Sequence, residues 1–180
     1  MDWQSLRRII TDNNAAGASR ILIDGEAAKL MAVEESGLAE IWAAEVSLTG
    51  LRDAKDVLAD QDLKLEPGPG EVKVRWFTVA PEKDDQSDEE KEAAAAFGFA
   101  AVGAVHARVD TSRHPMMHKT DTLDVIVLVR GDVDLILDEG EPQSLKAGDV
   151  VIQRATNHAW VNHGSEAALL VAVLISAKGQ

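Results

Sequence analysis

Two histidines, His118 and His158, are the side chains of this chain with the widest chemical reach. Neutral imidazole is the commonest metal ligand and also the side chain whose proton exchange lies nearest neutral pH. Ligation and acid–base work are therefore both open to them. Asp124 offers a carboxylate at the start of an apolar run, where it needs a partner. Arg154 offers a guanidinium that can clamp a substrate carboxylate in a bidentate pair. Trp160 can supply an apolar wall, and Thr120 and Asn162 can hydrogen-bond a ligand. Each residue also has an ordinary reading: Asp124 as a strand-edge carboxylate, Arg154 as a surface partner of Asp149, Trp160 and Asn162 as packing and turn residues. His114 precedes His118 at a spacing that binds metal from a helix, but Pro115 follows it directly and breaks that geometry. His114 can serve as a ligand only if its loop folds inward.

The elements that would position these groups are short β runs. Leu123–Val129 and Val133–Leu137 flank Arg130-Gly131-Asp132, a glycine-centred hairpin signal. Val150–Ile152 is a third run, and Ala167–Ile175 is continuous, apolar and β-branched, as in a buried strand closing a barrel. Upstream, Val72, Val74, Trp76 and Thr78 alternate with Lys73, Arg75 and Phe77, which predicts a strand over Glu71–Val79 after the breaker cluster Glu66–Gly70. Arg20–Asp24 and Leu38–Val46 have strand character, while Ile9-Ile10-Thr11 fits a strand or the end of a short helix. Thr49–Lys64 reads as a polar excursion with a helical turn at Asp53–Ala59. Ser87 and Glu90 form a capping box, predicting a helix over Asp88–Phe97 that could cover the site.

The totals set limits. The 180 residues suffice for one domain with a sizeable core, and the absence of cysteine excludes thiolate metal sites and cysteine nucleophiles. A net charge of −13 opposes phosphate backbones and anionic lipid, so the expected partner is a small-molecule ligand, with no nucleic acid and no membrane. No leader-like or membrane-spanning pattern is evident, and a cytoplasmic protein is expected. The domain 1–180 divides into an N-terminal strand extension (1–80), an acidic, alanine-rich helix and loop (81–100) and a barrel core (104–177). Several strands are apolar on both faces: Ile126 and Leu128 on one, Val125, Val127 and Val129 on the other. A homodimer is the expected cover for the second face.

The stretch Arg113–Ala177 resembles the cupin superfamily, specifically the small single-domain cupins, whose motifs are written G-x5-H-x-H-x3-4-E-x6-G and G-x5-P-x-G-x2-H-x3-N. Gly131 matches the glycine that closes the first motif. Counting back places Asp124 at the glutamate, Thr120 at the second histidine and His118 at the first. Gly148 opens the second motif, His158 to Asn162 matches H-x3-N, and Gln153–Asn157 replaces the usual proline and glycine turn. The resemblance implies an all-β cupin jelly-roll β-barrel with N-terminal strands and one or two short helices. It implies a site in which His118, Asp124 and His158 hold one divalent transition metal (Zn, Fe, Mn or Ni), or a metal-free variant of that site. The activity it implies is non-oxidative (decarboxylase, dehydratase or isomerase) on a small organic acid or polyketide-like intermediate, with His118 and His158 as catalytic groups. A metal-dependent dioxygenase and a non-catalytic ligand-binding cupin are the alternatives.

Overall fold

The computed structural model describes residues 2–83 and 85–176. An antiparallel hairpin of β1 (Arg8–Asn13) and β2 (Ser19–Gly25) leads into β3 (Lys29–Val33), β4 (Ser36–Glu45) and β5 (Glu71–Val79). A four-residue helix α1 (Val57–Asp60) interrupts the excursion between β4 and β5, and α2 (Asp88–Ala101) follows β5. The rest is β: β6 (Thr122–Arg130), β7 (Asp132–Leu137), β8 (Gln143–Lys146), β9 (Val150–Arg154), β10 (His158–Val161) and β11 (Ala168–Ser176). Among the described residues, no helix is long and apolar enough to cross a membrane.

A six-stranded sheet runs β3-β4-β5-β11-β6-β9, and a three-stranded sheet runs β10-β7-β8. The two face each other across a core to which the first gives Ile126, Leu128, Leu170 and Leu174 and the second gives Val133, Leu135 and Trp160. Side chains of a strand alternate between faces, so these residues define which face of each strand is the inside. The result is an all-β jelly-roll barrel.

Several local expectations are met for identifiable reasons. The β6–β7 turn is Gly131, whose φ of +85° and a Cβ that would lie 2.9 Å from the Ala168 Cα admit only glycine. Helix α2 starts at the anticipated cap: Ser87 Oγ accepts from the Glu90 amide, and the Glu90 carboxylate accepts from the Ser87 amide. It runs on past Phe97 to Ala101, because Phe99 is buried beneath it and extends its packed face. Ile9-Ile10-Thr11 is strand rather than helix. Strands from the first 80 residues complete the barrel rather than extend it, since β5 pairs antiparallel with β11 from Val72 to Val79.

One end of the barrel is polar. There β5, β6 and β10 begin and β9 and β11 end, and the inward positions are Lys73, Arg75, Thr122, Asp124, Gln153 and His158. Toward the other end, inward positions are Phe77, Leu128 and Leu170. We call the polar end the mouth.

Candidate functional site at the barrel mouth

His118 and His158 meet at the mouth. Their backbones form an antiparallel bridge, each amide donating to the other's carbonyl at 2.9 Å, although His118 lies outside any regular strand. The imidazole centroids are 4.3 Å apart with the planes tilted by 47°. Both rings are oriented the same way. His118 Nδ1 lies 2.9 Å from the Met116 carbonyl oxygen, and His158 Nδ1 lies 2.9 Å from that of Thr156. A carbonyl oxygen only accepts, so each Nδ1 carries the hydrogen and each Nε2 is a bare acceptor when the ring is neutral. Burial keeps them neutral: it lowers the pKa of His118, and it lowers that of His158 to about 3, with repulsion from His118 adding to the effect. Neither Nε2 has a hydrogen-bonding partner among the described residues.

Aromatic rings flank the pair. Phe99 of α2 lies 4.9 Å from the His118 ring, and Trp160 meets His158 edge-on at 5.5 Å. Phe99 belongs to a cluster with Leu38, Val102, Ala104 and Ala107, joined by Leu63, Leu65 and Phe77, and its ring carries that cluster up to His118. The capping-box helix therefore covers the site, as its place in the sequence implied.

Beside the histidines lies a set of buried charges. Arg75 donates to Glu40 Oε1 at 2.7 Å and to the Lys64 carbonyl at 2.7 Å, and Lys73 donates to the carbonyls of Lys64 and Glu66. Glu40 is 1% exposed and Arg75 3%. Burial dominates here, raising the pKa of Glu40 against the pull of Arg75 and Lys73 and lowering that of Lys73. These residues were missing from the sequence reading. A strand is ordinarily read with its apolar side inward, but β5 turns Lys73 and Arg75 in and Val72 and Val74 out.

The anticipated ligand-binding residues divide. Thr120 is buried at the mouth, its hydroxyl 2.7 Å from that of Thr122. Trp160 is buried in the core beside His158. Arg154 is exposed on the outer face of β9, and Gln153 takes the inward position, so the expected guanidinium clamp is not at the site. The one-residue register of the strand puts Arg154 on the wrong side. Asn162 is also spent elsewhere: its amide donates to the carbonyls of Val79 and Glu166, and its oxygen accepts from the Gly164 amide. His114 turns to Glu82, with Nε2 2.9 Å from Oε1, while its Nδ1 accepts from the Met116 amide. It does not replace Thr120.

No family model matches the sequence. A 46-residue stretch is 48% identical to a cupin-domain-containing oxidoreductase of Neurospora crassa, covering 26% of this chain and 24% of that protein. That stretch agrees with the resemblance carried by the two motifs. The fold is an all-β jelly-roll barrel of the cupin type. A 64-residue stretch is 45% identical to phomopsin biosynthesis cluster protein C' of Diaporthe leptostromiformis, covering 35% of this chain and 34% of that protein. The chain thus spans about a third of the length of the curated relatives it matches. Among solved structures it is similar to the polyketide cyclase RemF from Streptomyces resistomycificus (14% identity, 82% of this chain and 72% of that one, TM-score 0.44). It is likewise similar to a cupin 2 conserved barrel domain protein from Salinispora arenicola (14% identity, 83% of each chain, TM-score 0.42).

Cupins commonly hold a metal at the mouth, and the donor set can be compared with that requirement. The two histidines present bare, neutral nitrogens, as ligation demands. Asp124 points inward and is buried, yet its Oδ1 has no partner, and it lies in the field of Arg75. Among the described residues, no three His, Asp or Glu side chains converge so as to hold an ion. Two donors with no third do not make up a metal site.

Proposed function

We propose that this cupin acts on a small organic molecule at the barrel mouth by non-oxidative proton transfer of the decarboxylase, dehydratase or isomerase type. The observation that carries the reading is the matched pair of neutral imidazoles with bare Nε2 atoms under an aromatic cover. His118, the more exposed ring, accepts the proton released from a substrate carbon or hydroxyl. His158 stays neutral, because a second imidazolium 4.3 Å away is strongly disfavoured, and serves as a hydrogen-bond acceptor that orients the same substrate. Phe99 and Trp160 hold the substrate's apolar part. Two relatives are named as proteins of the phomopsin and oryzines biosynthesis clusters, which supports a biosynthetic intermediate as the substrate class.

The test is an anaerobic, chelator-treated assay against a panel of β-keto and β-hydroxy acids and cyclic enolisable ketones. Turnover that survives both treatments and falls about 100-fold or more in His118→Ala supports the reading. Turnover that requires oxygen or added iron contradicts it.

A second reading, a metal-dependent oxidoreductase, is favoured by the names of three relatives and by the ligation-ready state of the two histidines. It needs a third donor supplied by substrate or solvent. Tight ligand binding without turnover would point instead to a non-catalytic binding cupin.

A further inference from the structure

The acceptor that sets the His118 tautomer, the Met116 carbonyl, lies in a turn that two side chains hold from opposite sides. The Met117 amide closes the turn by donating to the His114 carbonyl at 3.0 Å, and Pro115 takes the first central position, which it favours. The central peptide joins Pro115 to Met116. Its oxygen accepts from Arg108 Nη2 at 2.9 Å, and its N–H donates to His114 Nδ1 at 3.1 Å. Each of these side chains is braced in turn. Arg108 Nη2 also donates to Glu92 Oε2 at 2.6 Å, and His114 Nε2 lies 2.9 Å from Glu82 Oε1. An amide N–H only donates, so His114 Nδ1 is bare and the ring hydrogen is on Nε2, facing the carboxylate. The Arg108 side chain is 12% exposed and that of His114 15%, a partly shielded setting in which a hydrogen bond is stronger than in water.

The bracing leads back to the helix over the site. Glu92 is on α2, and Lys91 of α2 lies 3.6 Å from Glu82. The Arg108 guanidinium carbon sits 5.9 Å from the centroid of Phe99, the ring that touches His118. The backbone of His118 is held separately, by its bridge to His158 and by the Lys119 amide on the Ala107 carbonyl. What remains for the turn to set is the direction of the ring.

We propose that Arg108 and His114 are positioning residues that clamp the Pro115–Met116 peptide, so that the Met116 carbonyl holds His118 with Nδ1 protonated and Nε2 bare at the mouth. They act through Met116 and not on the substrate. The inference rests on the reading of His118 as the proton acceptor, because a ring in the other tautomer would present a donor where a base is needed.

Side-chain ¹⁵N spectra of the full chain at neutral pH test the clamp without a substrate. In Arg108→Met and in His114→Ala, His118 is expected to lose its single Nδ1–H tautomer and show a mixture of the two. His158, whose acceptor is the Thr156 carbonyl, is expected to stay Nδ1–H in both. His114→Asn supplies a side-chain oxygen that can accept the amide two residues on, and it is expected to restore the native His118 signal. With a substrate from the panel above, kcat is expected to fall about 10-fold or more in the two damaging variants, with KM changed by less than about 2-fold. A His118 signal that stays native in both damaging variants overturns the proposal. So does a shift of both rings together, which marks general loosening, or a loss in His114→Asn equal to that in His114→Ala. A His118 tautomer that shifts with no change in kcat upholds the clamp and contradicts the reading of His118 as the proton acceptor.

Discussion

His118 and His158 stand side by side with tilted rings, 4.3 Å between ring centroids, each with its Nδ1 hydrogen committed to the carbonyl two residues before it. That one arrangement fixes both tautomers and leaves two acceptor nitrogens at the barrel mouth. It also has a pH signature. Above pH 6.5 neither folded nor unfolded chain protonates these rings, and they leave stability unaffected. Below it the unfolded chain gains protons that the folded His158 refuses until about pH 3. The His158 ring should therefore lower stability by about 1.4 kcal/mol per pH unit as pH drops through that window, and His118, whose pKa burial also lowers, acts in the same direction. Glu40 and Asp124, with raised pKa values, act in the opposite direction, so the contribution of His158 is read by difference. Urea midpoints at pH 7 and pH 5 should separate more in the native protein than in His158→Gln.

The buried pair of Arg75 and Glu40 makes a sharper stability prediction. Removing the guanidinium leaves a carboxylate 1% exposed with only Lys73, 3.8 Å away, to balance it, and Arg75→Met should cost about 3 kcal/mol. Glu40→Gln added to Arg75→Met should recover much of that loss, because the stranded charge is gone. Urea denaturation of the single and double variants measures this coupling.

Phe99 is the lid contact on His118. Phe99→Ala should destabilise by about 3 kcal/mol or more. It should also admit water to the ring, moving the lowered pKa of His118 back toward its ordinary value. Imidazole NMR titration reads this shift independently of any substrate.

Arg154 and Asn162 should behave in opposite ways. Arg154→Ala, on the outer face, should change stability by less than about 0.5 kcal/mol and leave turnover unaltered. Asn162→Ala removes the partners of two carbonyls and one amide at a side chain 1% exposed and should cost about 2–3 kcal/mol. Thermal denaturation of both variants suffices.

The fold was legible because several local signals agreed. The Gly131 turn, the Ser87–Glu90 capping box and the apolar β11 each have a local cause, and the structure uses all three. The convergence of His118 with His158 was legible only through the resemblance, since nothing local joins positions so far apart in the chain. The charged half of the mouth was hidden because β5 inverts the usual pattern, with Lys73 and Arg75 satisfied inside by Glu40 and by loop carbonyls. Arg154 was misplaced by one position, and Gln153 holds the inward place. Strand β8 (Gln143–Lys146) gave no signal, being short, polar and exposed on all positions but one.

The central claim is that His118 and His158 work as neutral acceptors rather than as ligands. Imidazole ¹⁵N resonances recorded at neutral pH, before and after one equivalent of Zn²⁺ or Fe²⁺, test it most directly. The account predicts Nδ1–H tautomers for both rings and spectra unchanged by the metal. Stoichiometric binding that shifts both Nε2 resonances, and is lost in His118→Ala and in His158→Ala, would contradict it.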